Sequence, residues 1–289
     1  HRDPAAGRPG KHPVDVRRRA REPARVGGLL GVQRALDRAV VREQDRGEVV
    51  PATDCVVECA SVAPKGNEKY VALTFDEGPS GATKQILQVL KEKGVTATFF
   101  LSGDAAEASP ATAKAIVDAG CEIGSNSYSD DSLKGQDREA VREQIPKGTD
   151  AIKSATGVKT MLLRTPYAAF DEQNWIDAMD LVSAVVSWNI DSGDWLLNGA
   201  DEQVSTVLDS VTPGNIVLLT DRDECAEQTL EALPQIIDGL VADGYKIVTL
   251  SDLVKTDTSL SKKLTSLTKV TMPKDAVFPQ LAEDDDTTE

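Results

Sequence analysis

Two carboxylates in a row, Asp76 and Glu77, close the apolar run Leu73-Thr74-Phe75, and Gly78-Pro79 then turns the chain. Adjacent like charges cost free energy unless water solvates them or a site uses them. The pair reads equally as part of a reactive site or as a solvated acidic turn, where such residues are common. Four other apolar runs also end in polar or charged residues. These are Ser125-Asn126-Ser127-Tyr128-Ser129-Asp130, Arg164-Thr165-Pro166-Tyr167, Asp191-Ser192-Gly193-Asp194-Trp195 and Leu218-Leu219-Thr220-Asp221. An arginine such as Arg164 at that rim offsets the carboxylates. Both histidines, His1 and His12, precede residue 51. Residues 51–289 thus hold no imidazole for a metal site, a catalytic triad or a proton shuttle.

The elements that must carry these segments are readable from periodicity. Strands are predicted at Tyr70–Phe75, Thr96–Leu101, Cys121–Gly124, Met161–Arg164, Val182–Ile190, Asn215–Leu219 and Lys246–Leu250. Helices are predicted over Thr83–Lys93, stopping at Gly94, and from a Ser109 cap and Pro110 to Gly120. A third covers Ala226–Asp243, with Pro234 expected to kink it. Pro146-Lys147-Gly148, inside an otherwise helical stretch, and Gly66–Glu68 read as loops. Seven βα-sized units in series predict an α/β fold with a mostly parallel sheet. Periodicity leaves an open sheet and a closed barrel both available. In either case the site belongs at the carboxyl ends of the strands.

The 289 residues carry a formal net charge of −15, unevenly spread. Residues 1–50 hold 12 Lys+Arg against 7 Asp+Glu, leaving 20 against 40 in residues 51–289. The first segment has 11 Arg and one Lys, the remainder 4 Arg and 16 Lys. The Arg-rich head lacks interleaved aromatics and reads as a disordered or non-native leader. The chain opens on His1 rather than Met, so a fragment is expected. The acidic body argues against a nucleic-acid partner, since phosphate contacts need clustered bases. No run of 18 apolar residues exists, so no membrane span is expected. Cys55 and Cys59 lack zinc-site spacing, Cys121 reads as a core residue, and the spacing leaves Cys55–Cys59 and a link to Cys225 both open as disulfides. The expected organisation is a head at 1–50, a lead-in at 51–68, one domain at 69–254 and an extension at 255–289. Within that extension Thr256–Val270 reads as a helix or an edge element, and Glu283–Glu289 as an acidic tail.

At its five strand ends the chain resembles the polysaccharide deacetylases (NodB-homology domain), which remove N- or O-acetyl groups from chitin-like glycans, peptidoglycan or xylan. The resemblance runs from Lys69 to Val254 and includes the ending Gly244-Tyr245-Lys246-Ile247-Val248-Thr249-Leu250-Ser251-Asp252-Leu253. It implies a distorted (β/α) barrel of about seven parallel strands. In Leu73-Thr74-Phe75-Asp76-Glu77-Gly78-Pro79, Asp76 keeps the general-base position, while Glu77 replaces a metal-binding Asp. Asn126 and Asp130 stand where the family has two metal-binding His. Arg164 matches the arginine that holds the base, with Pro166 and Tyr167 following, and Ala168 stands where Gly is usual. Asp191, Asp194 and Trp195 match a motif that supplies a pocket wall and an acid tuning the catalytic His. Leu218 is the pocket leucine, and Thr220 takes the general-acid position.

These departures imply impaired chemistry. General acids contribute about 10² to 10⁴ in rate, and a threonine hydroxyl releases no proton near neutral pH. No cofactor is expected. Were an ion held, the oxygen donors Glu77, Asn126 and Asp130 would suit Mg²⁺, Ca²⁺ or Mn²⁺ rather than Zn²⁺. Otherwise Glu77 or Asp130 pairs with a cation such as Arg164. The expected function is a degenerate domain that binds acetylated cell-wall glycan, with Tyr167, Trp195 and Leu218 as sugar-facing walls and Trp188 and Trp175 in core or helix-face positions. The rivals are a working hydrolase with an oxygen-ligated metal and a non-catalytic interaction module. The resemblance places the protein outside the cell or at its surface.

Overall fold

The computed structural model describes residues 62–257, apart from 171 and 179 and the side chains of 172 and 175, together with the backbone of three strands at 47–50, 57–58 and 270–273. Cys55, Cys59 and the Trp175 side chain, like 258–269 and the acidic tail, fall outside what it describes. Two of the outer strands, β1 (Gly47–Val50) and β11 (Val270–Pro273), form their own antiparallel pair.

The central strand, β3 (Lys69–Asp76), is buried from Val71 onward on both faces, as a parallel strand covered by helices should be. Its period of two divides the chemistry. Val71, Leu73 and Phe75 belong to the apolar layer beneath the helices, where Phe75 stacks on Phe99 at 4.9 Å. Ala72 points to the opposite, interior cluster with Phe100 and Ile216, and Thr74 and Asp76 share that face.

Every pairing in the main sheet is parallel. Its strands are β2 (Val57–Glu58), β3, β4 (Thr98–Leu101), β5 (Glu122–Ser125), β6 (Leu162–Leu163), β7 (Ala184–Val185), β8 (Ile190–Asp191), β9 (Asn215–Thr220) and β10 (Tyr245–Val248). The order is β2-β7-β6-β5-β4-β3-β9-β8, with β10 on the amino-terminal half of β3. Val182–Ile190, expected as one strand, is two: β7 pairs with β6, and β8 pairs with β9. The sheet's edges are β2, which covers the other side of β7, and β8, and no ladder among the described residues joins them, which makes the barrel a distorted one. The carbonyls of Val186 and Ser187 at that break accept from Arg164 Nε (3.0 Å) and Nη2 (3.4 Å). A side chain has taken the place of a neighbouring strand.

Of the helices, α1 (Thr83–Lys93) buries Ile86, Leu87 and Leu90 and ends at left-handed Gly94, φ 67°. After α2 (Gly103–Ala108), which the sequence did not disclose, comes α3 (Pro110–Asp118). It begins on Pro110 as expected, but Ser109 makes no side-chain cap. Through Pro146 and Gly148, read from sequence as a loop, α4 (Arg138–Thr156) continues unbroken. Gly148 lets the helix close on the segment after β5, where an added Cβ would lie 2.5 Å from Ser127 O. The remaining helices are α5 (Glu172–Ala178), α6 (Ala200–Ser210), α7 (Ala226–Ala242, continuous through Pro234) and α8 (Leu250–Thr256). Leu250, expected as the end of a strand, opens α8 because Thr249 caps it by accepting from Asp252 N.

Candidate active site

Strain marks the rim before any side chain is considered. Five non-glycine residues among those described have positive φ: Glu77 (74°), Ser127 (70°), Tyr167 (60°), Ala168 (50°) and Leu197 (56°). They follow β3, β5, β6 and β8, all at the carboxyl end of the barrel. Such backbone costs about 1–3 kcal/mol per residue and collects at functional sites. It also explains Ala168, since a position with φ 50° is one where glycine is favoured.

Asp76 ends β3 on its interior face, 7% exposed, and its Oδ1 accepts from Arg164 Nη1 at 2.7 Å. The same Nη1 reaches Thr74 Oγ1 at 2.7 Å, and the guanidinium lies over the Phe100 ring at 4.2 Å. Arg164 is 1% exposed and fills the top of the barrel. Small inward residues on β3 leave it room, and Gly124 leaves room for Phe100, whose ring an added Cβ would meet at 2.4 Å. Burial pushes the Asp76 carboxyl up to about 6, against the pull of Arg164.

Glu77 and Asp130 do not pair with Arg164. They share Arg222 instead, whose Nε lies 2.6 Å from Glu77 Oε2 and whose Nη2 lies 3.2 Å from Asp130 Oδ2. Tyr167 donates its hydroxyl to that same Asp130 oxygen at 2.7 Å. Burial, then the neighbouring Asp130 charge, raises Glu77 to about 7 against the attraction of Arg222. The hydrogen bond to Asp130 is the main cause that pushes Tyr167 up to about 12. Asn126 is 1% exposed, donates Nδ2 to the Arg164 carbonyl at 2.9 Å, and leaves Oδ1 without a partner.

The Thr220 hydroxyl donates to Asp194 Oδ1 at 2.8 Å, and its N–H to Oδ2 at 2.7 Å. Thr229 Oγ1 adds a third bond at 3.1 Å. Burial raises the fully buried Asp194 carboxyl in spite of these donors. Asp191, expected among the catalytic acids, makes no bond to Thr220: its Oδ1 accepts from Gly193 N (3.0 Å) and Trp195 Nε1 (3.1 Å), and its charge helps to raise Asp76 and Asp194. The acid on Thr220 is Asp194. Asp191 buttresses the turn that presents Trp195. Tyr167 and Trp195 are 64% and 52% exposed, while Leu218 and Pro166 are buried.

Arg222 carries no expectation from the sequence, and Asp221 is placed there at a strand end without a role. Asp221 is fully buried, accepts from Ser80 Oγ (2.6 Å) and Thr83 Oγ1 (2.7 Å), and so ties the loop after Glu77 to the end of β9. Gly78 must be glycine there, because a Cβ would fall 2.2 Å from Asp221 Oδ2. A signal for Arg222 did exist. Arginine occurs only at 138, 142, 164 and 222 in the Lys-rich body, and each of the four faces an Asp or Glu.

Glu77 Oε2, Asn126 Oδ1 and Asp130 Oδ1 are buried and accept no hydrogen bond, so oxygen donors are not lacking. What does not fit a divalent ion is the charge, since the Arg222 guanidinium lies against both carboxylates, and no group of three or more His, Cys, Asp or Glu able to hold a metal occurs among the described residues. The site keeps a base-position carboxylate bonded to an arginine, and at the general-acid position a threonine hydroxyl that donates to Asp194.

The parallel barrel, with carboxylates and exposed aromatics at its strand ends, is the fold of solved carbohydrate deacetylases. The family model described as polysaccharide deacetylase matches residues 63–182. The chain is 37% identical over 189 residues to a bifunctional xylanase/deacetylase of Pseudobutyrivibrio xylanivorans, covering 65% of this chain and 31% of that protein. It is 32% identical over 218 residues to a peptidoglycan-N-acetylglucosamine deacetylase of Bacillus cereus, covering 75% and 79% respectively. Among solved structures it is similar to BA3943, a CE4 family pseudoenzyme from Bacillus anthracis, with a TM-score of 0.63 at 30% identity over 68% of each chain. A mutant of BA3943 with restored enzymatic activity gives the same TM-score at 31% identity, covering 68% of this chain and 71% of that one. The chain belongs to the polysaccharide deacetylase family.

Proposed function

We propose that this domain binds acetylated cell-wall glycan, peptidoglycan-like or chitin-like, and has lost the deacetylase chemistry of its family. The observation that carries the reading is at the general-acid position, where Thr220 gives its hydroxyl to buried Asp194. A hydroxyl so committed neither protonates a leaving amine nor takes a proton up near neutral pH. The recognition surface we assign to the glycan is Tyr167 and Trp195, both more than half exposed at the carboxyl end of the barrel, where Leu218 also stands. Exposed aromatic faces beside a pocket are how proteins present apolar area to a sugar ring. The relatives named for peptidoglycan and xylan point to the polymer class, and BA3943 supplies a precedent for a family pseudoenzyme. A glycan ligand of this kind places the work of the domain outside the cell or at its surface.

Calorimetric titration with N-acetylglucosamine oligomers and peptidoglycan fragments, in the presence of a chelator, tests the binding half. Saturable binding unaffected by chelation is expected. Absence of binding to both ligands would favour an interaction module that makes no use of the groove.

A further inference from the structure

Beyond the buried pair of Arg164 and Asp76, the cation that organises the pocket is Arg222. Its Nε and Nη2 reach Glu77 and Asp130 at 2.6 Å and 3.2 Å. These carboxylates come from the loops after β3 and β5, and they occupy two of the three positions at which the family resemblance puts metal ligands. The third, Asn126, has turned its amide to the Arg164 carbonyl. A planar guanidinium fork spans two carboxylates in a way a lysine ammonium does not, and it keeps its charge across the whole range in which proteins fold. Tyr167, donating to the same Asp130 oxygen, fixes that carboxylate against the fork. Glu77 Oε2, Asn126 Oδ1 and Asp130 Oδ1 accept no hydrogen bond, so a divalent ion would find free oxygens here but would meet a positive charge that the chain itself supplies.

We infer that Arg222 is the permanent cation of this pocket, holding Glu77 and Asp130 where the family would hold a divalent metal and keeping such ions out. The assignment rests on reading the pocket as a deacetylase site that has lost its metal chemistry, and it names the residue that stabilises the loss. On this view the substitutions are coupled. Loss of the histidine positions leaves acidic oxygens without a counter-charge, and Arg222, two residues beyond Thr220, supplies one.

Manganese(II) titrated into the full chain and followed by electron paramagnetic resonance reports bound ion without any turnover. Wild type should show no saturable binding through the millimolar range. Arg222→Gln should bind at least about tenfold more tightly, because affinity for a hard cation follows the net charge of its oxygen set. Adding Asp130→Asn to that variant should abolish the gain. Arg222→Lys keeps the charge without the fork and should still exclude the ion, an outcome that a merely structural role for the side chain would not give. Circular dichroism establishes that each variant is folded. A micromolar manganese site in wild type overturns the assignment, and so does an Arg222→Gln protein that binds no better than wild type. Acetate release measured on the same samples separates the two ideas. Wild type that binds manganese yet releases no acetate overturns only the role of Arg222. Wild type that releases acetate with no ion bound overturns only the proposed loss of activity.

Discussion

Thr220 is bonded to Asp194 twice, main-chain N–H to Oδ2 at 2.7 Å and hydroxyl to Oδ1 at 2.8 Å. The acid that the family resemblance sets against an imidazole has here been satisfied by a threonine, with Thr229 completing the set. A buried carboxylate left without donors would be costly, and these three bonds supply them. Glu77 and Asp130 are offset by the Arg222 charge instead, and each keeps one oxygen without a hydrogen bond.

Thr220→Val keeps the shape and the main-chain donor but removes the hydroxyl. With Asp194 fully buried, the protein should lose about 1–3 kcal/mol in urea denaturation. An unchanged midpoint would mean that the hydroxyl is not satisfying Asp194.

Arg164→Met removes the partner of buried Asp76 and the donors to the Val186 and Ser187 carbonyls at the break between β7 and β8. A loss of about 3–5 kcal/mol is expected, the usual cost of stranding one member of a buried pair. Combining it with Asp76→Asn should recover part of that loss, and strict additivity of the two changes would contradict the coupling.

Asp76 and Glu77 set a pH dependence. Burial first of all raises Asp76 from 3.8 to about 6 and Glu77 from 4.5 to about 7. A carboxyl whose folded pKa exceeds its unfolded one keeps its proton more tightly when folded. Its favourable contribution is complete below the unfolded value and is lost as pH rises through the folded value. Wild-type stability should fall between about pH 4 and 7 on this account of the two groups. Glu77→Gln should remove its share, so that from the acid to the neutral end of that window the variant gains on wild type by something on the order of 2 kcal/mol. Thermal melts at the two ends of the window measure this. A difference that does not change with pH would contradict the raised Glu77.

Trp195→Ala and Tyr167→Ala remove exposed aromatic area from the rim. Each should weaken glycan binding by roughly fivefold or more while changing stability by less than about 0.5 kcal/mol, as surface changes usually do. Tyr167 carries the additional hydrogen bond to Asp130, so its variant is the less clean of the two. Unchanged affinity in both would remove them from the groove.

Where one physical signal dominates, the sequence was legible. The seven-unit alternation predicted the parallel sheet, Pro110 and Gly94 marked helix ends, and Asp76, Asn126, Arg164 and Thr220 were found at strand ends because polar residues interrupt apolar runs there. The break of Val182–Ile190 was not legible, because the carbonyls freed there are satisfied by Arg164, a residue distant in sequence that periodicity does not connect to them. Helix α4 through Pro146 and Gly148 was hidden for a similar reason: the local penalty of both residues is overridden by close packing of Gly148 on Ser127. Arg222 lay in a loop, where no pattern assigns a partner, and only the scarcity of arginine in the body pointed to it. The choice between Asp191 and Asp194 depended on which way each side chain turns, which spacing does not encode.

Acetate release from N-acetylglucosamine oligomers, measured on the purified chain with a chelator and then with added Zn²⁺, Co²⁺ or Mn²⁺, bears most directly on the proposed loss of chemistry at Thr220 and Arg222. Release should stay at the uncatalysed background under every condition, while the same oligomers bind. Metal-dependent turnover at ordinary enzyme rates, about 1–10³ per second, would contradict it.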